Sequence, residues 1–185
     1  TPTRTPTPTT TPTHTPTPTA TDTPTLTPTS SLPTTECPFV SPFRPPIEGP
    51  LVDVEVKITS ISNCDDNLPA ASPIFLKGTY SSDLTDKELW ILAYAPDANY
   101  YTQSANACGD QTAQLADGQW QEVIWLGRPD VSEAFHLVAV VTDIDSPASE
   151  AFHNHLKNGC RGDWGNIPLI PPGATELDSI IVHTR

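Results

Sequence analysis

The sequence predicts an all-β sandwich of six to seven short strands with one short inserted helix, preceded by an extended Thr/Pro-rich arm. Three observations lead there. Thr occupies every odd position from Thr1 to Thr29, and Pro most of the even ones. Beyond residue 51, where all four Trp and all four Tyr lie, the chain breaks into short runs of alternating polarity separated by turn residues. Only one stretch has helical spacing. Composition thus divides the 185 residues into an arm (1–36), a Pro-rich linker (37–51) and a globular domain (52–185). Thr/Pro/Ser-rich segments bury too little apolar surface to offset the entropy of ordering. About 135 further residues suffice for one core and not for two.

The elements follow in order. "LVDVEVKIT" (51–59) puts Val52, Val54, Val56 and Ile58 on one face, the period of a half-buried strand. "PIFLKGTY" (73–80) and "ELWILAYAP" (88–96) are the second and third strands. "GQWQEVIWLG" (118–127) follows an Asp117-Gly118 turn signal. "FHLVAVVTD" (135–143) is apolar on both faces, as a central strand is, and "LDSIIVHTR" (177–185) is the last. Residues 146–159, "SPASEAFHNHLKNG", read as the helix, with Ser146 or Ser149 as N-cap and Gly159 as C-cap. Short strands in this number favour an immunoglobulin-like (Ig-like) sandwich, without the Cys…Trp…Cys spacing of antibody domains.

Gly78-Thr79-Tyr80, Leu89-Trp90 with Tyr94, Tyr100-Tyr101, Gly118 with Trp120, Asp163-Trp164 and Pro172-Gly173 are spread across residues 52–185. Together they resemble a small Ig-like domain found at the end of bacterial surface and envelope proteins, often behind Thr/Pro-rich linkers. The resemblance implies a fold and a location, and carries no shared catalytic site. The cysteines depart from that pattern.

Net charge is −13, and from Val52 onward 19 acids face seven Lys or Arg. No cations cluster, which argues against nucleic acid and anionic membrane as partners. No apolar run reaches 18 residues, so no membrane span is expected in this chain. It opens inside the repeat without Met, and an export signal is expected upstream. Nucleophile elbows, P-loops, dinucleotide glycines and zincin helices are missing, so neither an enzyme nor a cofactor is expected. "His153-Asn154-His155" and "Arg161-Gly162-Asp163" spell a nuclease and an integrin tripeptide, but without basic surroundings or a presenting hairpin they read as helix and turn.

Cys37, Cys64, Cys108 and Cys160 are even in number, widely spaced and free of C-x-x-C pairs, which points to two disulfides and an oxidising compartment. Four cysteines allow three connectivities; the loops expected to meet at one end favour Cys64–Cys108 with Cys37–Cys160. The same end is expected to gather Asp65, Asp66, Asp110, Asp143 and Asp145, a weak calcium candidate. Trp90 and Trp120 are expected in the core. Trp125, on the opposite face of its strand from Trp120, is expected exposed, and Tyr100 and Tyr101 extend an aromatic surface suited to sugar faces.

The arm contains no N-x-S/T sequon, but Thr1, Thr3, Thr5, Thr7, Thr9, Thr11, Thr13, Thr15, Thr17, Thr19, Thr21, Thr23, Thr25, Thr27 and Thr29, interleaved with Pro, are O-glycosylation candidates. A polyproline-II stalk has three residues per turn and gives no reason for a period of two. An extended strand does: the Thr edge keeps every N–H while the Pro edge loses most of its donors. The leading expectation is therefore an extracellular structural subunit of a bacterial cell-surface appendage, its arm packing on neighbouring subunits in a polymer. The alternative is a stalked binding module, adhesin-like or glycan-binding.

Overall fold

The computed structural model describes residues 37–185 apart from Ser82. The arm, with its glycosylation candidates and its proposed strand period, lies outside the described residues.

Two sheets form a β-sandwich. The four-stranded sheet is antiparallel and runs β1 (Val56–Ile58), β3 (Pro73–Tyr80), β7 (Gln119–Trp125), β6 (Gln114–Ala116). The five-stranded sheet runs β2 (Asp65–Leu68), β9 (Ala174–Thr184), β8 (Ala134–Asp143), β4 (Lys87–Tyr94), β5 (Tyr100–Gln103). All its neighbours are antiparallel except β2, which runs parallel to β9. Among the described residues one α-helix, α1 (Pro147–Cys160), enters between β8 and β9.

Side-chain alternation explains how the sheets face. In β7, Trp120, Glu122 and Ile124 are buried while Gln119, Gln121 and Trp125 are exposed. Leu76 of β3 and Leu137, Ala139 and Val141 of β8 join Trp120 and Ile124 in the core between the sheets. Gly78 is required in β3, since a Cβ there would run into the indole of Trp120 and the carbonyl of Lys57. β8 is buried on both faces, because Val138 and Val140 point away from that core into a second one. There, beneath α1, they meet Trp90, Leu92, Tyr100, Phe152 and Leu156. The helix thus covers the outer face of the five-stranded sheet, making a third layer on the sandwich.

The Ser146 hydroxyl caps α1 by accepting from Ser149 N at 3.2 Å, with Pro147 at the first helical position. The helix does not stop at Gly159 but continues to Cys160.

Several expectations need correction. Nine strands form among the described residues, not six or seven. The additional β2, β5 and β6 are three or four residues long, and pairing with a longer neighbour makes them strands. Polar "DDNL" has no period of its own to show. The first expected strand contracts from 51–59 to Val56–Ile58, and Leu51 is fully exposed.

Residues 37–51, expected as a Pro-rich linker, are tied to the sandwich by side-chain bonds. Arg44 makes a two-pronged ion pair with Glu176 at 2.6 and 2.7 Å. Burial works against the charge on Arg44, yet the Glu176 carboxylate holds the guanidinium above its usual range. The hydroxyls of Tyr94 and Tyr100 donate to the carbonyls of Phe43 and Pro45. His136 Nε2 donates to Pro42 O at 2.8 Å. Prolines suit such a strap, since they give up donors and offer carbonyls to the sheet's side chains.

The cysteines pair as Cys37–Cys64 and Cys108–Cys160, with Cα separations of 5.1 and 4.8 Å. This overturns the expected Cys64–Cys108 and Cys37–Cys160. The reason is the parallel β2. It carries the Cys64 loop to the far end of β9, where Cys64 N donates to Ile181 O. The strap reaches the same place, and Phe39 stacks on His183 at 4.8 Å. Cys108 belongs to the opposite edge, in a 3-10 turn (Ala107–Gly109) that follows β5 and meets the end of α1. From β2 to β5 is four strand spacings, roughly 19 Å, too far for a disulfide.

Candidate ligand-binding groove

The same topology scatters the expected calcium carboxylates. Asp65 pairs in register with Val182, which pairs with Phe135, whereas Asp143 lies eight residues farther along β8. At about 3.4 Å per residue, Asp65 and Asp143 are roughly 27 Å apart. Each acid has its own local work. Asp66 pairs with Arg185 at 2.6 Å, Asp143 with Lys87 at 2.5 Å, and Asp65 accepts from Asn67 N. Asp145 adopts a left-handed turn conformation. Among the described residues, no three His, Cys, Asp or Glu are grouped to hold a metal ion.

Asp110 belongs to a different constellation. It accepts from His153 Nδ1 at 2.7 Å, and Glu88 accepts from His153 Nε2 at 2.9 Å. Burial opposes a charge on this imidazole, but the two carboxylates outweigh it and push its pKa up. Ser149 Oγ also donates to Glu88, at 2.6 Å. The cluster ties α1 to β4 and to the 3-10 turn.

A concavity of about 860 Å³ lies where the β5 edge of one sheet meets the end of β7 in the other. Its walls carry two indoles. Trp125, at the end of β7, is 54% exposed, and Trp164, in the loop after α1, is 47% exposed. Tyr101 of β5 lines the same concavity with Ala93, Ala95 and Phe135, and polar groups come from Asp97, Gln103, Arg128 and Glu133.

Each wall is held from behind. Gln103 spans the two sheets: its Oε1 accepts from Trp125 N at 2.8 Å, and its Nε2 donates to Tyr101 O at 3.2 Å. Trp164 lies flat over Gly159, where a Cβ would collide with the six-membered ring, so the glycine serves close approach rather than the helix cap. His155, behind the groove, supports the same loop. Its Nε2 donates to Gly165 O at 2.9 Å, which leaves Nδ1 to accept from Thr102 Oγ1 at 2.7 Å. Burial pushes the His155 pKa down and keeps the ring neutral, consistent with that tautomer. The imidazole also packs against Trp164 and Tyr101, at ring separations of 5.3 and 6.0 Å.

The polar groups are similarly arranged. Tyr101 Oη donates to Asp97 Oδ2 at 2.6 Å. Burial, with Asp97 adding to it, pushes the phenol up to about 12, so it remains a donor. Arg128 pairs with Glu133 at 3.1 Å across the rim. Such a site offers aromatic faces for apolar C–H surfaces and neutral or paired groups for hydroxyls.

Sequence reasoning anticipated part of this. Trp90 and Trp120 are buried and Trp125 is exposed, as the alternation in β7 requires. Tyr100 is not part of the surface: it is 1% exposed, and only Tyr101 reaches the groove. Gln103, His155, Asp97 and Arg128 were not singled out as site residues. Their only sequence signal is closeness to the aromatics, since the groove brings together residues 93 to 164. No family model, curated protein or solved structure matches this chain.

Proposed function

We propose that residues 37–185 form an extracellular glycan-binding module of Ig-like type, borne on the Thr/Pro-rich arm at a bacterial cell surface. One observation carries the reading: Trp125 and Trp164, both about half exposed, line one groove together with Tyr101. Indoles left in water forgo burial worth a few kcal/mol, and stacking on a sugar ring recovers it. Hydrogen bonds to the backbone at Trp125 and beside Trp164 fix the segments that bear the rings before any ligand arrives, which lowers the ordering entropy of binding. Two disulfides fit an oxidising exterior. The polymer-subunit expectation draws on the arm, outside the described residues, whereas the groove belongs to the domain.

Isothermal titration against a panel of oligosaccharides tests the proposal. Trp125→Ala and Trp164→Ala should each weaken the best ligand about tenfold, about 1.4 kcal/mol, without loss of the melting transition. Equal binding by wild type and both variants, or no binding to any sugar, overturns it.

A further inference from the structure

We infer that the groove continues onto the outer face of the β3–β7–β6 sheet, so that the ligand is a neutral polysaccharide chain rather than a terminal sugar; this rests on the glycan-binding reading. Trp125 is the hinge of the argument. It lines the groove, and it also stands on the outward side of β7 opposite Pro73. Phe75 lies opposite Val123, hence diagonal to Trp125 at a Cβ separation of about 7–8 Å, close enough for two aromatic rings to make one platform. Phe75 is 66% exposed. α1 and the strap cover the other sheet, leaving this face bare among the described residues.

Its chemistry differs from that of the remaining surface. The protein has 22 Asp and Glu, yet β3, β6 and β7 contain one carboxylate between them, Glu122, and it points inward. Beyond the aromatics the outward positions include three amides, Gln114, Gln119 and Gln121, with Gln121 Nε2 donating to Gln114 Oε1 at 2.9 Å. A glutamine amide both donates and accepts, as does a sugar hydroxyl. Rings at one end and an amide row alongside suit a chain presenting C–H faces and hydroxyls in turn, with no charge to be matched. A second copy of this domain suits it less well. Lys77 on β3 points outward, as does Lys57 opposite Thr79 on β1, and Lys77 would be buried against outward positions of β3, β7 and β6 that hold no carboxylate to receive it.

The test is a length series, from disaccharide to hexasaccharide, of neutral β-linked gluco-, xylo- and manno-oligosaccharides titrated into the full chain. Wild type should gain affinity with length. Phe75→Ala and Gln121→Ala should remove that gain, so that hexasaccharide affinity falls roughly fivefold to tenfold. Trp164→Ala should weaken every length. Phe75 and Gln121 are exposed, so an unchanged melting temperature is the folding control. Affinity independent of length, or a length gain untouched by Phe75→Ala, overturns the extended platform while leaving the groove reading intact. Failure of every sugar to bind overturns both. Concentration-dependent dimers lost on Phe75→Ala would assign the face to a second copy instead and also overturn the inference.

Discussion

On one side of the five-stranded sheet, Leu76, Ile124, Leu137 and Val182 close a core made by strands facing strands. On the other, Trp90, Val138 and Phe152 lie beneath a layer held as much by polar links as by packing. Those links are the His153 bridge to Glu88 and Asp110, the His155 bridge to Gly165, Arg44 with Glu176, and the Cys108–Cys160 disulfide. The polar groups of the inner core are less well served. Trp120 Nε1 is buried without a hydrogen-bond partner among the described residues. Burial pushes the Glu122 carboxyl up to about 7 although two backbone N–H groups, of Ala105 and Val123, donate to it. The difference has a physical origin: two sheet faces exclude water by shape, whereas a helix and a strap crossing a sheet must be told where to lie. Directional bonds do that, and they also place Trp164.

The contrast can be broken from the outer side most strongly. Replacing Cys108 and Cys160 by Ser opens a loop spanning 52 positions, for which the chain-entropy relation gives a loss of about 4 kcal/mol. Urea unfolding should show the loss, and hydrogen exchange should speed up first in α1 and residues 161–167. Uniform acceleration across both layers would mean the outer layer has no independence.

Leu137→Ala attacks the inner side. With its side chain wholly buried, the truncation should cost about 3 kcal/mol and lower protection in both sheets together. A loss confined to α1 would reverse the assignment of cores.

Glu122→Gln should do the opposite and stabilise. In the unfolded chain the carboxyl loses its proton near pH 4.5, but in the folded protein it holds the proton to about 7. Folded stability therefore falls as pH rises between those values and stays lowered above them. A neutral amide accepts the same two N–H bonds, so the variant should be more stable by roughly 2 kcal/mol at pH 8 and little changed at pH 4. Equal stability of variant and wild type at both pH values would contradict this.

The smallest effect is expected at His153. Its folded pKa lies above the ordinary histidine value, so its contribution is complete below about pH 6.5. The contribution disappears as pH rises through the higher, folded value. Amide exchange in α1 should quicken over that interval, and His153→Gln should flatten the dependence. Persistence of the pH response in the variant would place its source elsewhere.

What the sequence determined by itself is local. Alternation in "GQWQEVIWLG" sufficed to bury Trp120 and expose Trp125, because adjacent strand residues point to opposite faces. The cap at Ser146 and the apolar run of β8 were likewise readable, each depending on neighbours a few residues away. Tertiary structure alone decided the rest. Cys37 finds Cys64, and not Cys160, because β2 pairs in parallel beside β9, a choice that "DDNL" does not encode. A Pro-rich stretch becomes a strap because Glu176, 132 residues from Arg44, offers it a carboxylate. Trp164 becomes the second wall of the groove because Gly159, His155 and a disulfide converge behind it. Periodicity reports which way a side chain points from its own strand; which distant segment it meets depends on packing energies summed over the whole chain, and these leave no period to read.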